Sequence, residues 1–151
     1  MSALPRRLLL LLQFNHLTEV GATAIYKFQA KMVKDNTLKR KLQVFGSDEN
    51  MHKRELCKII TKYGSRSLPL EKITRLLCLV FALLSTIGGQ NTIVMTDILL
   101  EHRGIQMYRK QKWLLVDLVD NETIEKYNGI IKMEEGHLKW LTEWRINRHT
   151  C

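Results

Sequence analysis

Glu-x-x-His occurs twice in this chain, at Glu49–His52 and at Glu134–His137. Three residues turn a helix by about 300°, so each Glu shares a face with its His, one turn apart. Carboxylate and imidazole set that way are donors to a metal ion. Two such pairs, with one lone Glu from each of two further helices, form the ligand set of a four-helix di-iron or di-manganese site. Spacing alone is weak support. With ten Glu and five His in the chain, each His has roughly a one-in-fifteen chance of a Glu three residues earlier. The reading therefore depends on which elements carry these residues and on which face.

Five helices are expected. The first, about Arg6 to Lys34, draws a stripe through Leu9, Leu12, His16, Glu19, Thr23, Tyr26, Ala30 and Val33. Asp35-Asn36-Thr37 then offers capping residues for a second helix, about Thr37 to Tyr63. There Leu38, Leu42, Phe45, Glu49, His52, Leu56, Ile59 and Tyr63 alternate steps of four and three, the seam of an antiparallel bundle. An unpaired carboxylate buried on such a seam costs several kcal/mol, so Glu49 calls for a partner or a metal. Gly64 to Pro69 reads as a loop. A third helix, about Leu70 to Ile87, is apolar nearly all round and is expected to be buried or to lie against lipid. Gly88-Gly89 ends or kinks it.

The next helix, about Gln90 to Leu115, sets Val94, Asp97 or Ile98, Glu101, Gly104 or Ile105, and Tyr108 on one face. After a turn and cap at Asp120-Asn121, the last helix, about Glu122 to Asn147, turns Ile124, Tyr127, Ile131, Glu134, His137 or Leu138, Leu141 and Arg145 inward. All four Glu and both His thus fall mid-helix on apolar stripes, in the order Glu, Glu-x-x-His, Glu, Glu-x-x-His. The fold expected is all-α, a single ferritin-like four-helix bundle over residues 1–151 with an additional apolar crossover helix.

Oxygen and imidazole donors suit iron or manganese, whereas zinc would favour thiolates. The expected division is Glu19 and His52 on one metal, Glu101 and His137 on the other, with Glu49 and Glu134 bridging. Beside them, His16 lies one turn before Glu19 and could bond a ligand or make a plain core contact. Tyr108, two turns after Glu101, could bond a ligand or relay a proton or electron. Gly104 either leaves a gap beside the metal or eases helix packing. Glu135, Glu143, His102 and His149 read as surface residues.

The composition excludes little. Net charge is +9, which suits an anionic membrane surface, an acidic partner or nucleic acid. No basic run is interleaved with aromatics, so nucleic acid is disfavoured as a partner. Cys57, Cys78 and Cys151 make no close pair and read as reduced thiols. Leu8 to Leu12 is too short for a signal peptide. Leu76 to Ile87 is too short to span a bilayer, which leaves a surface-bound protein open.

With these residues in place, the chain resembles the demethoxyubiquinone hydroxylases, a membrane-associated branch of the ferritin-like di-iron proteins. The resemblance covers roughly residues 10–140. It rests on His16-Leu17-Thr18-Glu19-Val20-Gly21-Ala22 with Tyr26, on Glu49-x-x-His52, on the apolar segment through Gly88-Gly89, on Glu101 followed by Tyr108, and on Glu134-x-x-His137. It implies that Glu19, Glu49, His52, Glu101, Glu134 and His137 bind two iron ions, with Tyr108 beside the site. It further implies dioxygen as co-substrate and hydroxylation of a polyprenyl quinone, demethoxyubiquinol. The chain departs from the family at Met107, where a His is common, and at Leu138-Lys139, where the family tends toward His-Asp.

By the same resemblance the expected place is peripheral, on the cytoplasmic face of a bacterial inner membrane or the matrix side of the mitochondrial one. A quinone-biosynthesis protein or a second copy of the chain would be its partner. The competing readings are another ferritin-like oxidase or a rubrerythrin-like peroxidase, and a non-catalytic iron-binding protein at the membrane surface.

Overall fold

The computed structural model describes residues 4–149. Among them are five helices and no strand: α1 (Arg6–Met32), α2 (Asn36–Lys62), α3 (Glu71–Ile87), α4 (Gly89–Leu115) and α5 (Asn121–His149). Each expected helix is present, with ends within two residues of those read from the sequence.

Local chemistry sets the boundaries. The Asp35 carboxylate accepts hydrogen bonds from the Thr37 and Leu38 N–H groups, both 2.9 Å, and so caps the orphan donors that open α2. Asp120 does the same for α5, taking the Thr123 N–H and hydroxyl at 2.9 and 2.8 Å. At the other end of α2, Gly64 adopts φ +76°, a conformation that side chains resist, and the Ser65 N–H closes back on the Ile60 carbonyl. Gly89 takes φ +78° between α3 and α4, so the double glycine ends one helix and starts another.

The residues fall into two compact units that divide between Leu84 and Ser85. In the first, α1 and α2 form an antiparallel hairpin: Tyr26 meets Phe45 while Glu19, two turns of chain further back, meets His52. All eight seam positions of α2 are buried, from Leu38 to Tyr63. The two helices approach closely at Gly46, where an added Cβ would lie 3.3 Å from the Tyr26 Cβ. The start of α3 lies along α1, with Glu71 beside His16. A Cβ at Gly21 would lie 2.6 Å from the Cys78 Sγ, so a side chain there would force the thiol to move.

In the second unit α4 and α5 also pair antiparallel, with Tyr108 against Tyr127 and Glu101 against His137. Val94, Ile105, Leu115, Ile130 and Leu141 fill that interior.

The helix α3 resolves an alternative that the sequence left open. Its uniformly apolar surface is not buried. Leu76, Leu77 and Ile87 are 64%, 65% and 78% exposed, and only Ala82 and Ser85 are buried. The α1 helix is itself long and apolar enough to cross a membrane, but half of that stretch is buried within the protein. It also carries buried Gln13, Asn15, His16 and Glu19, groups costly to place in hydrocarbon.

Candidate metal centre

The α1–α2 hairpin builds one cluster. Glu19 comes from the middle of α1, and Glu49 and His52 come from successive turns of α2. His52 Nδ1 lies 3.2 Å from Glu49 Oε2 and 3.9 Å from Glu19 Oε2. One donor atom from each of the three lies within 4.8 Å of the others.

The α4–α5 hairpin builds a second cluster of the same composition. His137 Nδ1 lies 3.4 Å from Glu101 Oε1 and 3.9 Å from Glu134 Oε2, and these three also offer donors within 4.8 Å of one another. All six residues are only 1–4% exposed. The register choices left open on α4 and α5 are settled as well: Asp97, Ile105 and His137 are buried, while Ile98, Gly104 and Leu138 are half-buried.

The donor set fits a metal. Each cluster holds two carboxylates and one imidazole out of water, and like charges that close are costly without a cation between them. Hard oxygen donors with one imidazole match non-haem iron or manganese, and no thiol lies in either set.

Layers of aromatic and amide groups follow each cluster along its hairpin. In the first, Tyr26 and Phe45 meet edge to face at 5.7 Å. In the second, Tyr108 and Tyr127 meet the same way at 5.7 Å, and the Tyr127 hydroxyl donates to Gln111 Oε1 at 3.3 Å. Tyr108 is therefore buried in the same hairpin as Glu101, two turns along α4.

His16 is buried on the Glu19 face of α1, and its Nε2 points to Glu71 Oε1 at 3.7 Å. Burial pushes its imidazole below the usual range; the Glu71 carboxylate opposes that shift and the Lys53 ammonium adds to it. A side chain at Gly104 would meet nothing within 4 Å, so close helix packing does not require a glycine there. Glu135, Glu143 and His102 are exposed as expected, Glu135 pairing with Arg109 at 2.6 Å. The side chain of His149 and all of Cys151 lie outside the described residues. Cys57 is exposed and Cys78 half-buried, both as free thiols.

Sequence reasoning missed several polar residues around the clusters. Asn15 is fully buried four residues before Glu19, as Asp97 is four before Glu101. Asp97 was one of two positions the sequence offered for the α4 face, whereas Asn15, one turn after buried Leu12, fell beside the stripe drawn through Leu12, His16 and Glu19. Glu71 opens the apolar helix and reads as a first-turn acid. Nothing in its spacing points to His16, 55 positions earlier in the sequence.

Residues 6–103, about two-thirds of the chain, match the family model described as Ubiquinone biosynthesis protein COQ7. The match takes in Glu19, Glu49, His52 and Glu101 and stops short of Glu134 and His137. No curated protein matches the chain.

Proposed function

This chain belongs to the Ubiquinone biosynthesis protein COQ7 family, the demethoxyubiquinone hydroxylases, and on that premise we propose that it hydroxylates demethoxyubiquinol at a di-iron centre. The single observation that supports this best is the pair of buried Glu, Glu, His clusters, one in each hairpin. Glu19, Glu49, His52, Glu101, Glu134 and His137 would hold two iron ions, with Glu49 and Glu134 as the bridging carboxylates.

In the reaction one atom of dioxygen enters a ring C–H bond as C–OH, and the other leaves as water with two electrons and two protons. Bound iron supplies the redox chemistry for that exchange. The chain supplies the rest. Four carboxylates, Glu49 and Glu134 among them, would balance the charge of the bound metals. Burial of all six ligands keeps bulk water from the reacting site. Tyr108, buried in the same hairpin two turns after Glu101, would bond a group at that cluster.

The exposed apolar face of α3 would lie on the membrane and meet the isoprenoid tail, with the basic surface facing anionic lipid. The test is expression in a strain that accumulates the demethoxy intermediate. Mass spectrometry should show that intermediate converted to the hydroxylated ring. A folded, iron-loaded protein that leaves it unchanged overturns the proposal. Peroxide turnover without quinone would then mark the rubrerythrin-like alternative.

A further inference from the structure

Each hydroxylation consumes two protons, yet the six ligands sit at 4% exposure or less. Protons need a built route to such a site, and the first unit contains the parts of one. Glu71 is half-exposed at the start of α3 and lies 3.7 Å from Nε2 of buried His16. The other ring nitrogen, Nδ1, is buried and makes no hydrogen bond within the protein. A buried polar nitrogen left so costs on the order of 1–3 kcal/mol unless something uses it. His16 lies one turn before Glu19 on the same face of α1, so its ring links a half-exposed carboxylate to the helix that carries Glu19.

From this arrangement we infer that Glu71 and His16 form a proton relay from solvent to the Glu19 side of the metal centre. The inference rests on the hydroxylase reading, which is what demands protons there. In each passage Glu71 takes a proton from water and hands it to His16 Nε2. Nδ1 releases its own proton to a water molecule on the Glu19 side, which carries it to the reacting oxygen, and a turn of the ring restores the starting tautomer. No electron moves in the relay, and two passages supply one turnover.

The surroundings suit the task. The 3.7 Å gap closes to hydrogen-bond length with a small rotation of the half-exposed Glu71 side chain, as loose unliganded contacts commonly do. The Gln13 amide, one turn before His16, donates to the Arg66 carbonyl at 2.5 Å and to the Ser65 hydroxyl at 3.2 Å. That fixes the loop that delivers Glu71. The charged groups acting on the ring are Glu71 from α3 and Lys53 from α2. Burial and Lys53 hold the ring neutral, so it gives up an added proton readily, while Glu71 attracts one. Arg75, 3.5 Å from Glu71 Oε2, tethers the carboxylate without covering its Oε1 contact to His16.

The experiment uses the full iron-loaded chain, comparing wild type with Glu71→Gln and His16→Gln. The reaction of the ferrous protein with dioxygen and quinol is followed across pH in H2O and D2O. Both variants should keep wild-type iron content. Both should slow the proton-dependent step by at least about tenfold, the low end for lost acid–base assistance, and flatten its pH dependence. In the metal-free protein, NMR titration of the His16 ring should move to lower pH in Glu71→Gln, a readout independent of turnover. Unchanged rates and pH profile in Glu71→Gln, with wild-type turnover intact, overturn the relay alone. Loss of iron from that variant also overturns it, by making Glu71 structural. A wild type that binds iron but forms no product overturns the hydroxylase reading and the relay together.

Discussion

The two hairpins carry the same three donors and pack them differently. On α1–α2 the histidine leans toward the Glu of its own helix, 3.2 Å to Glu49 against 3.9 Å to Glu19. On α4–α5 it leans toward the Glu of the facing helix, 3.4 Å to Glu101 against 3.9 Å to Glu134. Seven residues after each lone Glu stands a buried tyrosine, Tyr26 or Tyr108. Tyr26 rests on the apolar ring of Phe45, whereas Tyr108 rests on Tyr127, whose hydroxyl is bonded to Gln111. Helical periodicity fixes where the donors go, and the aromatic pair beyond them is free to differ.

The largest effect tests whether the hairpins are equal in binding. Glu49→Ala and Glu134→Ala should each lose nearly all metal from a wild-type content of about two ions per chain, as read by elemental analysis of folded protein. Retention of one ion in either variant would show that a single hairpin binds on its own, and the bridging roles of Glu49 and Glu134 would fail. Retention of both would place the metal elsewhere.

The glycines give a contrast of opposite sign. Gly21→Ala forces its methyl against the Cys78 Sγ, where an added Cβ falls at 2.6 Å. It should lower the urea midpoint by a shift worth about 1–3 kcal/mol. Gly104→Ala meets nothing and should raise stability by about 0.5–1 kcal/mol through the usual helix preference. Equal effects at the two positions would mean that α3 does not press on α1 as described.

Much of this was legible before any coordinates, for a physical reason. The α2 seam repeats every three or four residues without a miss, so Glu49 and His52 announce themselves as polar breaks in an apolar line. Caps and glycines punctuate the helices, which is why the ends were readable at Asp35, Gly64 and Asp120. What was hidden is contact between residues distant in sequence. The pairing of His16 with Glu71 and of Tyr127 with Gln111 depends on which helix lies beside which, and periodicity within one helix carries no such information. The fate of α3 was hidden for another reason. A uniformly apolar helix looks the same whether its neighbours are protein or lipid, and only packing shows Leu76 and Leu77 facing outward.

A smaller effect probes the layer beneath the donors. Tyr127→Phe makes the second hairpin resemble the first, removing the hydroxyl and leaving buried Gln111 without that donor. It should cost about 1 kcal/mol in denaturant unfolding of the metal-free protein. A neutral Tyr127→Phe would mean that the hydrogen bond only replaces one to water.

The smallest effect lies in acid, and only the first hairpin should show it. His16 is held below the ordinary imidazole value, chiefly by burial. Above about pH 6.5 the ring is neutral in both folded and unfolded chains and contributes no pH dependence. As pH falls through that value the unfolded chain takes up the proton first, so stability drops. The decline continues to the lower folded value and then levels off. The equivalent position of α4, three residues before Glu101, is Ile98, which cannot titrate. Replacing His16 with Gln should therefore flatten the fall of the urea midpoint between about pH 7 and 5. Amide exchange should place the protected change in α1 and the start of α3, leaving α4 and α5 as in the wild type. An acid limb of the same size in His16→Gln would assign the sensitivity to groups the hairpins share, and the difference between them would then lie only in their aromatic pairs.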